Sequence, residues 1–500
     1  GPGSAGAFLF MYNTFLLLLL LLSPAVGSSI SLLYFNDAHE IAPVHDIHGE
    51  RGGVARLKTL VDKVRESNPE CLVIFGGDLA GGTLFGSMFH GFPLVEAFNQ
   101  IPIDIANFGQ HDFDFGPAVT RRLVDASEFE WLSSNLREAD GRSFHNVPTV
   151  LKKTVKGLNI GFLGLTDAMQ STTPGPIQQN DLMQSCAQVL PQLKNMDVIV
   201  AITQTDAATN TALLKRFPNI HVILSEEQSE TQTRVEFWGD RPIVSPCGNI
   251  GSMARIDIAK TCYGIRCSVS SLPVDATVLP DPDLLLLEEN YQHKLQIELN
   301  TVVGQATAPL DAGIGTDFRC RWGETALGNL ITDAFRDYYA ADIAVINGGG
   351  IRANIAQGVI RLYDIFSVLP FHNNICLIRI SGTQLNKLLE HGVSAVESSG
   401  GRFLQISGAR YTYDWQKPIG ERIVKSSHRG KPIHPDSSYT LALPDFLLHG
   451  GDGFNELIRS DVVVSPDSAP KDTDVLIDFI KKQSPIRAGE EGRITVLGKD

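Results

Sequence analysis

No Lys- or Arg-rich run occurs anywhere in these 500 residues, and the formal charge is −14, from 42 basic and 56 acidic side chains. A chain without such runs cannot neutralise a phosphate backbone at length, which excludes nucleic acid as a partner. Cysteine is scarce. There are seven, with no Cys-x-x-Cys or Cys/His spacing, which excludes a disulfide scaffold. Cys262 and Cys267 flank Tyr263-Gly264-Ile265-Arg266 between two strand-like runs and are expected to close a hairpin with a bridge; Cys71, Cys186, Cys247, Cys320 and Cys376 read as small core residues. No Asn-x-Ser/Thr acceptor is present, which favours an unglycosylated chain. A second long apolar run is also missing. The one that exists, Phe8 to Leu22, lies in an uncharged stretch from Gly1 to Asn36, is shorter than the ~20 residues of a spanning helix, and precedes Ala25-Val26-Gly27. It reads as a secretory signal over residues 1–29 and predicts a secreted or periplasmic protein with no membrane span after cleavage. The polar end Gly498-Lys499-Asp500 gives no sign of a lipid-anchor tail.

At 43% hydrophobic and 20% charged, a chain this long exceeds what one core organises, so at least two globular domains are expected. The first half repeats one unit, a short apolar run that stops at polar residues. The runs are Ile30 to Phe35, Leu72 to Phe75, Ile103 to Phe108, Ile160 to Leu165, Val198 to Ile202 and His221 to Leu224. Runs this short and apolar fit strands buried on both faces of a layered α/β domain. Between them lie helical patterns, such as the face formed by Val54, Leu57, Leu60, Val61 and Val64. The text turns Pro- and Asp-rich around Leu272 to Pro282, and Asp283 to Leu299 reads as a polar helix. The predicted division is 30–275, a linker helix over 276–300, and a second α/β domain over 301–500.

Polar residues at the ends of consecutive buried strands converge on one crevice. Asp37 and His39 are two apart, which on an extended chain places both side chains on one side, suited to a single metal. Asp78 follows Gly76-Gly77, neighbours small enough for an ion to approach, and a carboxylate can bridge two cations. Gln110 offers an amide oxygen and His111 an imidazole able to act on a leaving group, with Asp114 three residues on to orient it. His45, His48, His90 and His221 read as loop or core histidines.

The order Asn36-Asp37-Ala38-His39, Gly77-Asp78 and Gly109-Gln110-His111-Asp112-Phe113-Asp114 resembles the calcineurin-like metallophosphoesterases, in particular secreted 5′-nucleotidases and periplasmic UDP-sugar hydrolases. The resemblance runs from about Ser29 to the end. It implies a four-layer α/β/β/α metallophosphoesterase domain, a linker helix and a second α/β nucleotide-binding domain, with hinge motion about the linker gating turnover. It also implies one or two divalent cations, a first metal on Asp37, His39 and Asp78, and a His111–Asp114 pair assisting departure of the leaving group. The chain departs from the family in three motifs. Gln110 stands for the usual Asn, Gln204 ends a strand that usually ends in Thr-His, and Gln228 and Glu230 replace the Gly-His-x-His/Gln ligands; slipped by one, Glu227 and Ser229 are the counterparts. Glu230 would complete the first shell, and the oxygen-only second site would suit Mg²⁺, Mn²⁺ or Ca²⁺, weakly held, rather than zinc.

Recognising a nucleoside needs aromatic platforms, donors for the base edge and a carboxylate or amide for the ribose. Leu369-Pro370-Phe371 and Asp445-Phe446-Leu447 each place a Phe in an expected turn after a strand, and Asp452 lies within Gly450-Gly451-Asp452-Gly453. Together with Glu324 to Asn329, Asn347 to Arg352 and Phe403 to Gln405, these strings resemble the C-terminal domain of the same nucleotidases. The resemblance implies Phe371 and Phe446 on the base, Asn347 on its edge, Asp452 on the ribose hydroxyls, and Arg321 with Arg352 on phosphate. Two readings follow: a metal-dependent nucleotide phosphohydrolase, or a catalytically impaired homologue that binds nucleotides or nucleosides without turnover.

Overall fold

The computed structural model describes residues 28–499 except 47–48, 168–176 and 372. The apolar run read as a signal, and His48, lie outside the described residues. The chain divides into two compact units, Gly1–Gln292 and His293–Asp500. Among the described residues no helix is long and apolar enough to cross a membrane.

The first unit is built on strands β1 (Ser29–Phe35), β2 (Leu72–Phe75), β3 (Ile105–Asn107), β4 (Glu130–Leu132), β5 (Leu151–Val155), β6 (Leu158–Thr166), β7 (Val198–Gln204), β8 (Val222–Ser225), β9 (Arg234–Trp238), β10 (Arg241–Ser245), β11 (Ser252–Thr261) and β12 (Gly264–Pro273). They form two six-stranded sheets, ordered β12-β11-β1-β2-β3-β4 and β9-β10-β8-β7-β6-β5. Neighbours β1 to β4 are parallel, as are β6, β7, β8 and β10. Side chains alternate across a strand, so each sheet has two apolar faces. Leu32, Tyr34, Ile74 and Ile105 of one sheet share a core with Ile160, Phe162, Val200 and Leu224 of the other. On the outer face of the second sheet, Leu163, Ile199 and Ile223 pack on α-helices Leu182–Val189 and Ala207–Arg216. On the first sheet, Phe35 and Phe75 meet Phe98 of helix Phe92–Phe98 at ring distances of 5.5 and 5.1 Å. Two helical layers around two sheets give the expected α/β/β/α order.

The second unit has a five-stranded sheet. Its strands β13 (Ile343–Asn347), β14 (Ile375–Ser381), β15 (Leu404–Ser407), β19 (Ser438–Pro444) and β20 (Asp461–Val464) run in the order β15-β13-β19-β14-β20. A smaller sheet, β18-β17-β16-β21, joins β16 (Ala409–Asp414), β17 (Ile423–His428), β18 (Lys431–Pro432) and β21 (Ile494–Leu497). Ala344 and Ile346 face helices Ala326–Tyr339 and Asp472–Gln483, whereas Ile343 and Val345 pack toward helix Gly382–Gly392 and the smaller sheet. Helix Pro282–Leu299 carries the division between the units.

Two expectations fail here. Cys262 and Cys267 are both free thiols. In the β11–β12 hairpin Thr261 pairs with Gly264 and Ile258 with Cys267, so Cys262 sits in the turn. Three residues of strand at ~3.3 Å each carry Cys267 about 10 Å away, beyond the reach of a disulfide. Phe371 follows not a strand but helix Leu362–Val368.

Phe162 lies in the core shared by the two sheets of the first unit. Phe162→Ala, removing a fully buried ring from it, is expected to cost ~3–5 kcal/mol in urea denaturation.

Candidate functional site

The strand ends of both sheets are stitched together by buried polar groups. Tyr34 Oη and Asn36 Nδ2 both donate to the Ser225 carbonyl, at 2.9 and 3.1 Å. Thr166 Oγ1 donates to the Phe108 carbonyl at 2.7 Å, and Gln204 Nε2 to the Gly76 carbonyl at 3.4 Å. These bonds bring the loops after β1, β2, β3, β7 and β8 to one place.

Asp37, His39 and Asp78 meet there, with one ligand atom from each lying within 4.8 Å of the others. The route differs from the extended pair expected from sequence. Asp37 has φ 51°, and Asp78 φ 65°, so both chains turn sharply as they leave their strands. The turns lock together as Asp37 N donates to Gly77 O at 3.0 Å and Ala38 N to Asp78 O at 2.8 Å. Asp112, whose role sequence reasoning missed, accepts from the N–H groups of Asp78, Leu79 and Gly109 at 3.1, 2.8 and 2.9 Å. It is buried, and desolvation outweighs those three bonds, raising its pKa to about 6. Gly109 is required by close approach: a methyl there would enter the Asp78 carboxylate.

Burial, the hydrogen bond and charge of Glu227, and the charges of Asp78 and Glu226 hold the Asp37 pKa well above the usual carboxylate range. Burial does the same for Asp78, partly offset by His111. Burial and the neighbouring His111 push His39 down to about 3, keeping it neutral. Its Nδ1 lies 2.8 Å from the Gly81 carbonyl, so Nδ1–H donates and Nε2 keeps its lone pair for a metal. His111 Nδ1 lies 2.9 Å from Asp114 Oδ2, and His111 N donates to Asp78 Oδ1 at 2.7 Å. Burial disfavours the imidazolium, but Asp114, Asp78 and Asp112 prevail and raise its pKa to about 9.

The donors present fit a divalent cation. Two carboxylates and a neutral imidazole converge, and the buried Gln204 Oε1 and Asn36 Oδ1 have no hydrogen-bond partner. Such orphaned oxygens call for an ion or water. Gln110 leads into the short turn His111–Phe113, and Gln228 lies half-buried in the loop after β8. Glu230 is elsewhere: exposed, it accepts from Asn249 Nδ2 at 3.0 Å and pairs with Arg51 at 3.5 Å. Glu227 is the loop carboxylate nearer the cluster, its N–H donating to Asp37 Oδ2 at 3.3 Å. Glu226 joins it, pushed up to about 7 by burial and by the charges of Glu227, Asp206 and Asp167. The acidic pair after an apolar run was the available signal, and only the alternative register pointed to Glu227. His45 is exposed beside Glu50, His90 stacks on Phe115 at 4.1 Å, and His221 accepts from Ile199 N.

In the second unit Asn347, at the end of β13, donates through Nδ2 to Asp452 Oδ2 at 2.8 Å. Asp452 has φ 54°, held by His391, whose Nε2 lies 3.0 Å from its carbonyl. Phe446 presses on Gly451, where any side chain would strike its ring. Phe446 and Phe371 are 43% and 57% exposed, large values for Phe. Asn374 Nδ2 donates to Asp445 Oδ2 at 3.0 Å and its carbonyl accepts from Asp445 N, tying the Phe371 loop to the residue before Phe446. Arg352 lies 5.7 Å over the Phe371 ring. Arg321 Nη1 donates to Ser399 O at 3.2 Å, while its buried Nε has no partner. The loop carrying Arg321 is braced by buried Gln405, whose Nε2 donates to the Cys320 and Gly323 carbonyls at 3.0 and 2.7 Å. Glu324 accepts from Asn329 at 2.7 Å and from main-chain N–H groups at Glu491 and Ile494, also a brace.

Residues 302–458 match the family model described as 5′-nucleotidase, C-terminal domain. The human 5′-nucleotidase is 25% identical over 530 residues, covering 94% of this chain and 92% of that protein. The trifunctional nucleotide phosphoesterase protein YfkN of Bacillus subtilis (strain 168) is 27% identical over 505 residues, 90% of this chain, though the chain spans only 34% of its length. The crystal structure of a 5′-nucleotidase precursor from Thermus thermophilus is similar at TM-score 0.62 and 25% identity, covering 95% of this chain and 100% of that one. The match to the 5′-nucleotidase C-terminal domain thus covers residues 302–458, and similarity to 5′-nucleotidases extends over most of the chain.

Two substitutions test the geometry. Asp114→Asn takes away the carboxylate that favours the imidazolium, so the His111 pKa is expected to fall from about 9 toward 6.5 in an NMR titration. Gly109→Ala is expected to weaken Mn²⁺ binding at least about tenfold, or ~1.4 kcal/mol, in calorimetry while leaving the far-UV spectrum unchanged.

Proposed function

We propose that the protein is a divalent-cation-dependent phosphohydrolase of the 5′-nucleotidase type that releases phosphate from nucleotides outside the cytoplasm. The observation that carries this reading is the convergence of Asp37, His39 and Asp78 beside the His111–Asp114 pair. When bound, a divalent cation supplies Lewis acidity toward a phosphoryl oxygen and acidifies water. Asp37, His39 and Asp78 would hold the first ion. Gln110 and Gln204 would offer amide oxygens to a second, weaker one, with the loop of Gln228 carrying Glu227 toward the same centre. Oxygen-rich donors favour Mg²⁺, Mn²⁺ or Ca²⁺ over zinc.

His111 carries the proton step. With Nδ1 bound to Asp114, Nε2 is the ring nitrogen left for substrate, and the Asp114 carboxylate favours the imidazolium. An imidazolium there stabilises charge on the phosphoryl group and donates to the departing ribose oxygen. Phe371 and Phe446 are proposed to stack the base, Asn347 and Asp452 to hold base edge and ribose, and Arg321 with Arg352 to bind phosphate; the exposed rings and the partnerless Arg321 Nε support this. The names of the relatives point to the same substrate class.

A second reading, nucleotide or nucleoside binding without turnover, draws on Gln204, an amide where the family carries an imidazole. Phosphate release from nucleoside monophosphates distinguishes the two. Activity is expected with Mn²⁺ or Mg²⁺, is abolished by EDTA, and falls ~10²–10⁴-fold in His111→Ala. Nucleotide recovered bound and intact after incubation with each metal would sink the hydrolase reading. On either reading, Phe371→Ala and Phe446→Ala should each weaken nucleoside binding by ~1–3 kcal/mol, measured by calorimetry.

A further inference from the structure

Away from the residues above, the second unit has a cleft of about 220 Å³ lined by Arg336, Arg410, Arg429 and Arg493, with Ser427 and Glu491. Four guanidinium groups in one cleft are unexpected in a chain of charge −14. Their partners decide whether the charge is available. Arg493 forms the buried floor and is spent: it binds Asp333 at 2.7 and 2.9 Å and Glu491 at 2.9 and 3.1 Å. Arg336 uses Nε on Ser407 Oγ at 2.7 Å, and its carboxylate neighbour Asp333, 4.0 Å away, is already engaged by Arg493. Arg410 gives Nη1 to the main-chain carbonyls of Glu491 and Gly492, neutral acceptors that leave its charge uncompensated. Arg429 is 77% exposed and stands 3.5 Å from Asp342, whose other oxygen accepts from Thr440.

From this arrangement we infer that the cleft is a binding site for a compact inorganic oxyanion, phosphate or pyrophosphate. Guanidinium groups recognise phosphoryl oxygens in paired, charge-assisted hydrogen bonds, and three of these four keep donors for that purpose. Ser427 adds a hydroxyl at the wall. The volume is below the ~300–1,000 Å³ of pockets that enclose a drug-sized ligand, which selects a small ion over a whole nucleotide. The site joins three segments remote in sequence: helix Ala326–Tyr339, the β16–β17 hairpin and the stretch before β21. A bound anion would therefore clamp them and stabilise the unit by linkage.

The experiment is calorimetric titration of the full chain with inorganic phosphate and with pyrophosphate, in EDTA so that no cation centre takes up the anion. One anion per chain is expected, with affinity falling as salt rises. Arg336→Gln and Arg429→Gln should each weaken it about tenfold, while Arg379→Gln, at an exposed position elsewhere in the same unit, should leave it unchanged. Arg429 is exposed, so its variant decides the matter even if Arg336→Gln fails to fold. Absence of binding, wild-type affinity in Arg429→Gln, or a loss that follows Arg379→Gln would overturn the inference. Because the readout uses neither nucleotide nor metal, its outcome is independent of the hydrolase reading.

Discussion

The desolvation of two carboxylates within reach of each other is the constraint on which the first unit turns. Asp37 and Asp78 are buried at the ends of adjacent parallel strands, and the charge of Asp78 adds to the burial that raises the Asp37 pKa. Buried charges of one sign persist only against compensating charge. The surroundings bear on that compensation: burial keeps His39 neutral, Asp114 and Asp78 favour the imidazolium of His111, and Asp112 fixes three N–H groups of the supporting loops. A cation at this point would relieve repulsion that the fold itself creates, so affinity for metal and geometry of the loops are the same property.

The second unit divides labour differently. Its buried polar residues, Gln405, Glu324 and Asn329, hydrogen-bond to main chain and to one another, and they brace the loops around Arg321. The groups proposed to face a ligand are the exposed rings of Phe371 and Phe446, and Arg321, whose Nε has no hydrogen-bond partner. A loop braced in this way meets its ordering cost during folding instead of on binding.

Much of this was legible without coordinates. Each of the six apolar runs falls on a strand, because short stretches apolar on both faces fit a covered parallel sheet and little else. The Asp37, His39 and Asp78 set was legible for the same reason: residues after consecutive parallel strands share a crevice. Glu230 was not, because loop residues after β8 have no periodicity to fix their direction, and a small shift in register exchanges a cluster-facing carboxylate for one paired with Arg51. The Cys262–Cys267 pair looked adjacent in the chain but is separated by strand geometry.

By itself, then, the amino-acid order determined where the six apolar strands lie, which polar groups terminate them, and the acidic balance of the chain. Local chain chemistry suffices for these, since hydrophobic periodicity and charge act over a few residues. Tertiary structure alone decided that Asp37 and Asp78 turn through left-handed conformations to meet, that Asp112 is the anchor of their loops, and that Arg336, Arg410 and Arg429 share a cleft. Those outcomes depend on contacts between residues tens of positions apart, where burial and hydrogen bonding, not sequence proximity, set the geometry.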